Sequence, residues 1–235
     1  MIKNTIKTLS RIVTNDVHDD EKQATNFEAA RRFVEMKREQ GQESLSGPGS
    51  WLENTKDTVS FLNRIIKERD VKSILDLGCG DWNWFQQINL EGVHYIGWDA
   101  DRQMIDDNLA KFSKKNIQFE VMDIVKSDYP NVDLILCRDV LFHMDFDLAL
   151  KIIAKAKQNN GYFAATSYKD SETNRGPRQY TNFSGWGYYD INLDVSPFDL
   201  IEFEIDSQQE MKNSRPHNRR LVCLYDFSSD ALPSN

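Results

Sequence analysis

The chain has 235 residues and carries 29 lysines and arginines against 37 aspartates and glutamates, a formal net charge of −8. This acidic balance disfavours a nucleic-acid partner, because phosphate backbones are bound by clustered positive charge. The three cysteines are too few and too widely spaced for a disulfide framework, which predicts a reduced, cytoplasmic protein.

The N-terminal part of the chain predicts a helical extension. Residues 1–45 are polar and charged, and residues 29–38 have helical character with a partial apolar face. We interpret residues 1–45 as an extension that caps a site or offers a partner surface, and residues 46–235 as the main domain. No apolar run approaches the ~20 residues of a membrane span, and the N-terminus lacks the apolar core of a signal peptide.

Strand-like and helix-like segments alternate after a turn-rich break at residues 44–51 and a helix over 53–69. The predicted strands are 73–77, 94–98, 117–122, 132–137 and 161–167, and the predicted helices are 82–88, 101–113 and 146–158. Alternation of this kind indicates a parallel sheet with helices on both faces.

The C-terminal part predicts a different connection. Residues 168–197 are loop-like, and the strand candidates 200–205 and 220–227 have no long helix between them. They predict an antiparallel hairpin at the sheet edge. The expected fold class is therefore α/β, with a Rossmann-like, seven-stranded, mostly parallel sheet.

Acidic residues and glycines follow the first two strands. Strand 73–77 runs into Asp76-Leu-Gly78-Cys79-Gly80, and the second strand ends at Asp99. Glycine lets a backbone turn tightly and a ligand approach closely. Asp76 is placed to complement a positively charged group, and Asp99 is placed to accept both hydroxyls of a ribose. The alternative for Asp99 is a cap for the next helix, a role that Asp101 can fill instead.

A nicotinamide dinucleotide is the competing ligand. Its fingerprint has a third glycine, Gly-x-Gly-x-x-Gly, where this chain has Asn83. Asp81, just after the turn, would face a pyrophosphate unfavourably. The pattern favours a nucleoside cofactor that carries no phosphate.

These motifs resemble those of class I S-adenosylmethionine-dependent methyltransferases over residues 50–227. The resemblance implies an enzyme with S-adenosyl-L-methionine as cofactor, an adenine contact from Asp123 after the third strand, and acceptor-facing residues after the fourth strand. It implies a cofactor site formed by Asp76, Gly78, Cys79, Gly80, Asp99, Ala100, Asp123, Ile124 and Arg138.

Residues 137–143 supply the candidate catalytic groups. His143 is suited to remove a proton from an acceptor hydroxyl, or to hold an anion when protonated, and Asp139 lies four residues before it, where it can orient the ring. Arg138 suits an anionic acceptor. The alternatives are a structural histidine and a buried ion pair of Arg138 with an acid. Asp139 and His143 lack a clear third ligand, so no metal site is predicted.

A finer resemblance concerns the acceptor. Residues 46–50 and 137–143, with Trp186 and the dipeptides at 192–193 and 197–198, are similar to a bacterial subgroup that includes capsule phosphoramidate methyltransferases. The resemblance implies a small, anionic or sugar-linked acceptor of a surface polysaccharide pathway. Aromatic and cationic residues of the predicted loop are expected at this acceptor: Tyr168, Arg175, Arg178, Tyr180, Trp186, Tyr188 and Tyr189.

Two other functions remain open from the sequence, a nucleic-acid methyltransferase and a non-catalytic cofactor-binding protein on the same fold. Monomer and homodimer are both compatible with the sequence.

Overall fold

Nine strands are present in the part of the chain that this computed structural model describes, which comprises residues 28, 30–174, 180–181, 187–211 and 219–228. They are β1 (Ser73–Leu77), β2 (His94–Asp99), β3 (Ile117–Val121), β4 (Leu134–Cys137), β5 (Tyr162–Tyr168), β6 (Tyr180–Thr181), β7 (Gly187–Tyr188), β8 (Glu204–Gln209) and β9 (Arg220–Asp226). Seven of them form one sheet in the order β3-β2-β1-β4-β5-β9-β8, and β6 pairs separately with β7.

The sheet is parallel from β3 to β5 and antiparallel at its other edge. Strand β9 runs antiparallel to both β5 and β8. The predicted Rossmann-like sheet with a C-terminal hairpin is therefore confirmed. Because parallel strands end at the same edge, the residues that follow β1, β2 and β4 lie side by side there.

Four α-helices lie within the described residues: α1 (residues 30–39), α2 (Leu52–Glu68), α3 (Arg102–Phe112) and α4 (Phe146–Gln158). The sheet buries an apolar cluster on each face. Leu148 and Ile152 of α4 belong to one cluster, and Phe61 and Ile65 of α2 to the other. Helices therefore cover both faces, as expected.

The predicted helix over 82–88 is wrong. Only Phe85–Gln87 forms a short 3-10 turn there. Trp82 has a left-handed backbone, with φ of 56°, which an α-helix does not tolerate. Its indole is buried against Phe85, Tyr95 and Phe119. Burial of the indole in this aromatic cluster outweighs local helix propensity.

The first strand of the hairpin starts later than predicted. Residues Ile201–Phe203 form a 3-10 turn, and β8 then covers a polar stretch, Glu204–Gln209. An edge strand has a partner on one side only and needs little apolar sequence. This explains why the apolar run at 200–205 indicated the wrong boundary.

Cys79, Cys137 and Cys223 are buried and form no disulfide. Among the helices of the described ranges, none is both long enough and apolar enough to cross a membrane.

Candidate active site

A cavity of about 1230 Å³ opens at the edge where the parallel strands end. Its wall includes every residue proposed from the sequence as cofactor-binding or catalytic: Asp76, Gly78, Cys79, Gly80, Asp99, Ala100, Asp123, Ile124, Arg138, Asp139 and His143. The described part of α1 contributes Ala30, Phe33 and Val34 to the same wall. The fold thus brings these five segments of the chain to one site.

The glycine turn after β1 forms the floor at one end of the cavity. Gly78 and Gly80 have φ values of +75° and +58°, a region that disfavours residues with a Cβ. A Cβ at Gly78 would lie 2.5 Å from Cγ2 of Val140, and one at Gly80 would overlap Oγ of Ser46. Both glycines are therefore required by close approach as well as by backbone conformation.

Asp99 connects the turn to the next helix. Its Oδ2 accepts a hydrogen bond from the Gly80 amide at 3.0 Å, and its Oδ1 accepts one from the Asp101 amide at 2.9 Å. Burial raises the pKa of Asp99 above its ordinary value. The cap of α3 is Asp101, whose side chain accepts from the Met104 amide at 2.9 Å. Asp99 is thus not the helix cap, and the alternative role weighed from the sequence belongs to Asp101.

Asp76 lies deeper in the same wall and is 4% exposed. The hydroxyl of Tyr95 donates to its Oδ2 at 2.7 Å. Burial raises the pKa of Asp76 to about 7, and the Tyr95 hydrogen bond opposes that rise. Asp76 therefore changes its charge close to neutral pH.

A segment that we call the strap, residues 44–51, covers the glycine turn. Asp81 holds it: its carboxylate accepts from the Leu45 amide at 2.7 Å and from the Ser44 hydroxyl at 3.0 Å. The side chain of Arg138 donates to the Gly49 carbonyl at 2.7 Å. The aspartate that argues against a dinucleotide in the sequence thus also fixes the roof of the site.

Asp123 combines two positions. Its Oδ1 accepts from the amides of Val125 and Lys126, at 2.9 and 3.1 Å, and so caps a turn. It also lines the cavity beside Met122 and Ile124. These apolar neighbours give that end of the cavity a surface on which a flat ring can pack.

Another part of the cavity lining is aromatic, and we call it the aromatic wall; it is formed by Phe142, His143, Tyr168 and Tyr188. Nδ1 of His143 lies 2.9 Å from the Gly187 carbonyl oxygen. Because a carbonyl only accepts, Nδ1 carries the proton of the neutral ring, and Nε2 is the nitrogen that can take up another. Burial lowers the pKa of His143 to about 4, so the ring is neutral at pH 7.

Beneath this wall lies a group of charged side chains, the charge cluster, formed by Arg138, Asp139, Glu210 and Arg220. Arg138 donates from Nε to Glu210 at 2.7 Å and lies 3.3 Å from Asp139. Arg220 donates to both Asp139 and Glu210. Burial favours the neutral form of Asp139, yet Arg138 and Arg220 outweigh it and hold its pKa below the ordinary value.

The cluster changes how two candidate residues are interpreted. Arg138 forms the buried ion pair that the sequence left open as its alternative role. The Asp139 carboxylate is hydrogen-bonded to Thr166 and Arg220, whereas the ring of His143 is oriented by the Gly187 carbonyl. Glu210 was missed by the sequence analysis because its partners Arg138 and Thr58 lie 72 and 152 residues away.

The expected acceptor loop is only partly visible. Tyr168 and Tyr188 line the cavity, whereas Tyr189 is fully buried and its ring contacts that of Phe146. Arg175, Arg178, Trp186 and the Tyr180 side chain lie outside the described residues. Among those described, no group of three or more histidines, cysteines and acids could hold a metal ion.

The cradle formed by the glycine turn and its acids suits a cation. In a dinucleotide site the amides of such a turn point at phosphates. Here the amides of Gly78 and Cys79 both donate to the Trp98 carbonyl, at 2.8 and 3.0 Å, and the Gly80 amide donates to Asp99. The cradle therefore offers carboxylates, as the sulfonium, ammonium and ribose groups of S-adenosylmethionine require.

Comparisons with known proteins identify the family of the chain. A family model described as "Methyltransferase domain" matches residues 68–214. No functionally curated protein matches the chain.

Solved structures of similar fold include N-methyltransferase NodS from Bradyrhizobium japonicum in complex with S-adenosyl-L-homocysteine (16% identity, 73% of this chain and 86% of that chain, TM-score 0.55). A second is 1,6-didemethyltoxoflavin-N1-methyltransferase from Burkholderia thailandensis with its methyl acceptor and S-adenosylhomocysteine bound (16%, 74% and 80%, TM-score 0.53). A third is an S-adenosylmethionine-dependent methyltransferase from Clostridium acetobutylicum (14%, 75% and 93%, TM-score 0.54). Because the family model spans more than half of the chain, the protein belongs to the methyltransferase-domain family, and the predicted S-adenosylmethionine-dependent methyltransferase is confirmed.

Proposed function

We propose that this enzyme transfers the methyl group of S-adenosylmethionine to a hydroxyl oxygen of a small, ring-bearing acceptor that lies against the aromatic wall. The observation that carries the proposal is the placement of a neutral histidine, His143, in an aromatic surface of the same cavity as the acidic cradle. The acidic cradle suits a cationic donor, and the aromatic wall suits an uncharged ring.

The roles proposed for the cradle follow from its chemistry. Asp76 would complement the ammonium or sulfonium group, and Asp99 would accept the ribose hydroxyls. Asp123 would accept from the adenine amino group, with Ile124 packed on the ring. The remaining contacts would come from Gly78, Cys79, Gly80 and Ala100. Arg138 would act indirectly, through its hydrogen bond to the Gly49 carbonyl of the strap.

The protein's part in the reaction is alignment, exclusion of water and acceptance of one proton. Bound S-adenosylmethionine supplies a methyl group that its sulfonium already activates. Alignment of two reactants can lower a barrier by ~7–11 kcal/mol. Nε2 of His143 would accept the proton of the acceptor hydroxyl as the new carbon–oxygen bond forms, since Nδ1 is held by Gly187. The strap and α1 would keep water out.

The acceptor class is proposed more finely on the resemblance at residues 46–50 and 137–143. It is a sugar-linked or anionic precursor of a surface polysaccharide, including a phosphoramidate. Aromatic side chains pack on the apolar faces of sugars, and the presence of the aromatic wall therefore supports a sugar-linked acceptor. Arg138 and Arg220 are both paired with acids, so a negative group on the acceptor would lie away from this wall.

A labelled-methyl assay tests the function. The wild-type enzyme is incubated with labelled S-adenosylmethionine and separate pools of sugar nucleotides, phosphoramidates, phenols, amines and RNA. We expect transfer to a hydroxyl-bearing small molecule, at a rate about 10²-fold lower in His143→Gln. Transfer to RNA alone would establish the nucleic-acid alternative, and tight S-adenosylhomocysteine binding without transfer to any pool would establish a non-catalytic binding protein.

A further inference from the structure

We propose that Glu210 and Arg220 are positioning residues of the methyl-transfer site, which hold His143 and the loop after β4 in register with the cradle. The inference rests on the proposed role of His143. Both residues belong to the C-terminal hairpin, far in sequence from the glycine turn, and neither is part of a motif that the sequence analysis singled out as catalytic.

Glu210 organises the two arginines. Its side chain is 1% exposed, and both of its oxygens are occupied. Oε1 accepts from Arg138 Nε at 2.7 Å and from the Thr58 hydroxyl, and Oε2 accepts from Arg220 Nε at 3.2 Å. Two guanidinium groups are therefore oriented by one buried carboxylate.

Arg220 carries this orientation to the end of β4. Its terminal nitrogen contacts both carboxylate oxygens of Asp139. Asp139 has a left-handed backbone, with φ of +61°, a conformation that residues with a Cβ adopt less readily than glycine. Thr166 adds two more bonds, one to the Asp139 amide and one to its side chain, each of 2.9 Å. These contacts hold Asp139 in a conformation that it would otherwise leave.

The backbone conformation of Asp139 sets the direction of the loop that follows it. The next residue, Val140, lies against Gly78 of the cradle, at the place where a Cβ would sit. The His143 amide donates to the Val140 carbonyl at 3.0 Å and so closes the 3-10 turn that presents the imidazole. A change in the backbone of Asp139 would move Val140 relative to the cradle and His143 relative to Gly187 together.

The charges of the cluster balance one another, so each side chain depends on the others. The cluster contains two arginines and two acids, so its formal charge is zero. A buried ion that loses its partner is strongly destabilised, and Arg220 and Asp139 act on the charge of His143 in opposite directions. Replacement of one member would therefore disturb both the geometry and the field at the imidazole.

The test uses Arg220→Lys, which keeps the charge but loses the planar fork, and Glu210→Gln, which keeps the shape. The matched controls are Arg219→Lys, whose guanidinium makes an exposed pair with Asp170, and Asp206→Asn, at a half-buried acid of the same hairpin that pairs with Arg64 of α2. Nitrogen NMR of the histidine rings at neutral pH, with His143 assigned by its loss in His143→Gln, reports the tautomer without any acceptor.

We expect wild-type His143 to be the Nδ1-protonated tautomer and both cluster variants to show a mixture with the Nε2-protonated form. S-Adenosylhomocysteine affinity should remain measurable, and kcat should fall by about 10²-fold, the effect of a misplacement near 1 Å. The control variants should keep the wild-type spectrum and rate.

A folded Arg220→Lys with the wild-type histidine spectrum and unchanged kcat would overturn the proposal. If Glu210→Gln does not fold, Thr58→Val is measured instead, because it retains all four charges and removes one hydrogen bond to Glu210. A smaller shift of the His143 signal toward the tautomer mixture supports positioning. An unchanged His143 signal contradicts it. A shifted His143 signal in a protein that methylates nothing would leave positioning supported and the proposed function rejected.

Discussion

The hydroxyl of Tyr95 donates a hydrogen bond to Oδ2 of Asp76 at 2.7 Å, between neighbouring strands and inside the cavity wall. Burial places the pKa of Asp76 at about 7. The carboxyl that we propose to complement the cationic cofactor therefore titrates near neutral pH, chiefly because burial raises its pKa and the Tyr95 hydrogen bond opposes that rise.

The affinity for S-adenosylmethionine should rise with pH. Below pH 7 the carboxyl of Asp76 is mostly protonated, and binding of a cation requires it to ionise. A group with a pKa of about 7 predicts about tenfold tighter binding at pH 8 than at pH 6. Calorimetry at a series of pH values measures this, and the slope should vanish in Asp76→Asn.

The raised pKa of Asp76 has the opposite effect on stability: the affinity for the cofactor rises with pH, whereas the free energy of unfolding falls. The folded state retains the Asp76 proton more strongly than the unfolded chain, whose pKa is the ordinary 3.8. This group therefore lowers the free energy of unfolding as pH rises from about 4 to about 7. An affinity that is independent of pH in the wild-type enzyme would reject the titration of Asp76 in the site.

Gly78→Ala should abolish cofactor binding, because the added methyl group would lie 2.5 Å from Cγ2 of Val140. Gly92→Ala is the matched control: its φ is also positive, +74°, but nothing lies within 4 Å of the added atom. The control should lose only the ~1 kcal/mol of backbone strain. Thermal unfolding and S-adenosylhomocysteine calorimetry compare the two, and Val140→Ala should partly restore binding to Gly78→Ala.

Asp99→Asn should weaken S-adenosylhomocysteine binding by about 1–3 kcal/mol. An amide presents one acceptor where the carboxylate presents two, and Asp99 already receives the amides of Gly80 and Asp101. Asp70→Asn, at an exposed acid that does not line the cavity, should bind as the wild type does. Equal dissociation constants for the Asp99 variant and this control would remove Asp99 from the ribose site.

His143→Gln should lower kcat by about 10²-fold and leave S-adenosylhomocysteine affinity within about twofold, since His143 belongs to the aromatic wall and not to the cradle. His94→Gln, at the start of β2 and outside the cavity, is the control. With a His143 pKa of about 4, kcat at saturating donor should be level from pH 6 to 8. A rise centred near pH 6.5 would mean that the imidazole is solvated and titrates normally.

The cradle could be predicted because its residues are adjacent in sequence. Asp76, Gly78 and Gly80 lie within one turn, and Asp99 ends the neighbouring strand, so parallel pairing alone brings them together. The parallel sheet likewise followed from the alternation of strands and helices. Local pattern was sufficient wherever partners are near in sequence or follow from topology.

The acceptor side could not be predicted in this way. The charge cluster joins Asp139 to Arg220 across 81 residues, and nothing local at either position indicates the other. From the sequence, Arg138 was interpreted as an anion-binding residue, because the sequence does not show which acid pairs with an arginine in the folded protein. The prediction of a helix at 82–88 was wrong for a similar reason, since Trp82 packs against strands that lie further along the sequence.

Strand β9 is the last of the described strands in chain order, yet it lies inside the sheet, between β5 and β8, and Arg220 is its first residue. Ribosomal synthesis proceeds from the N-terminus, so the strands that form the cradle all emerge before β9. The ion pair between Arg220 and Asp139 can therefore form only after every strand that carries the cradle has been synthesised.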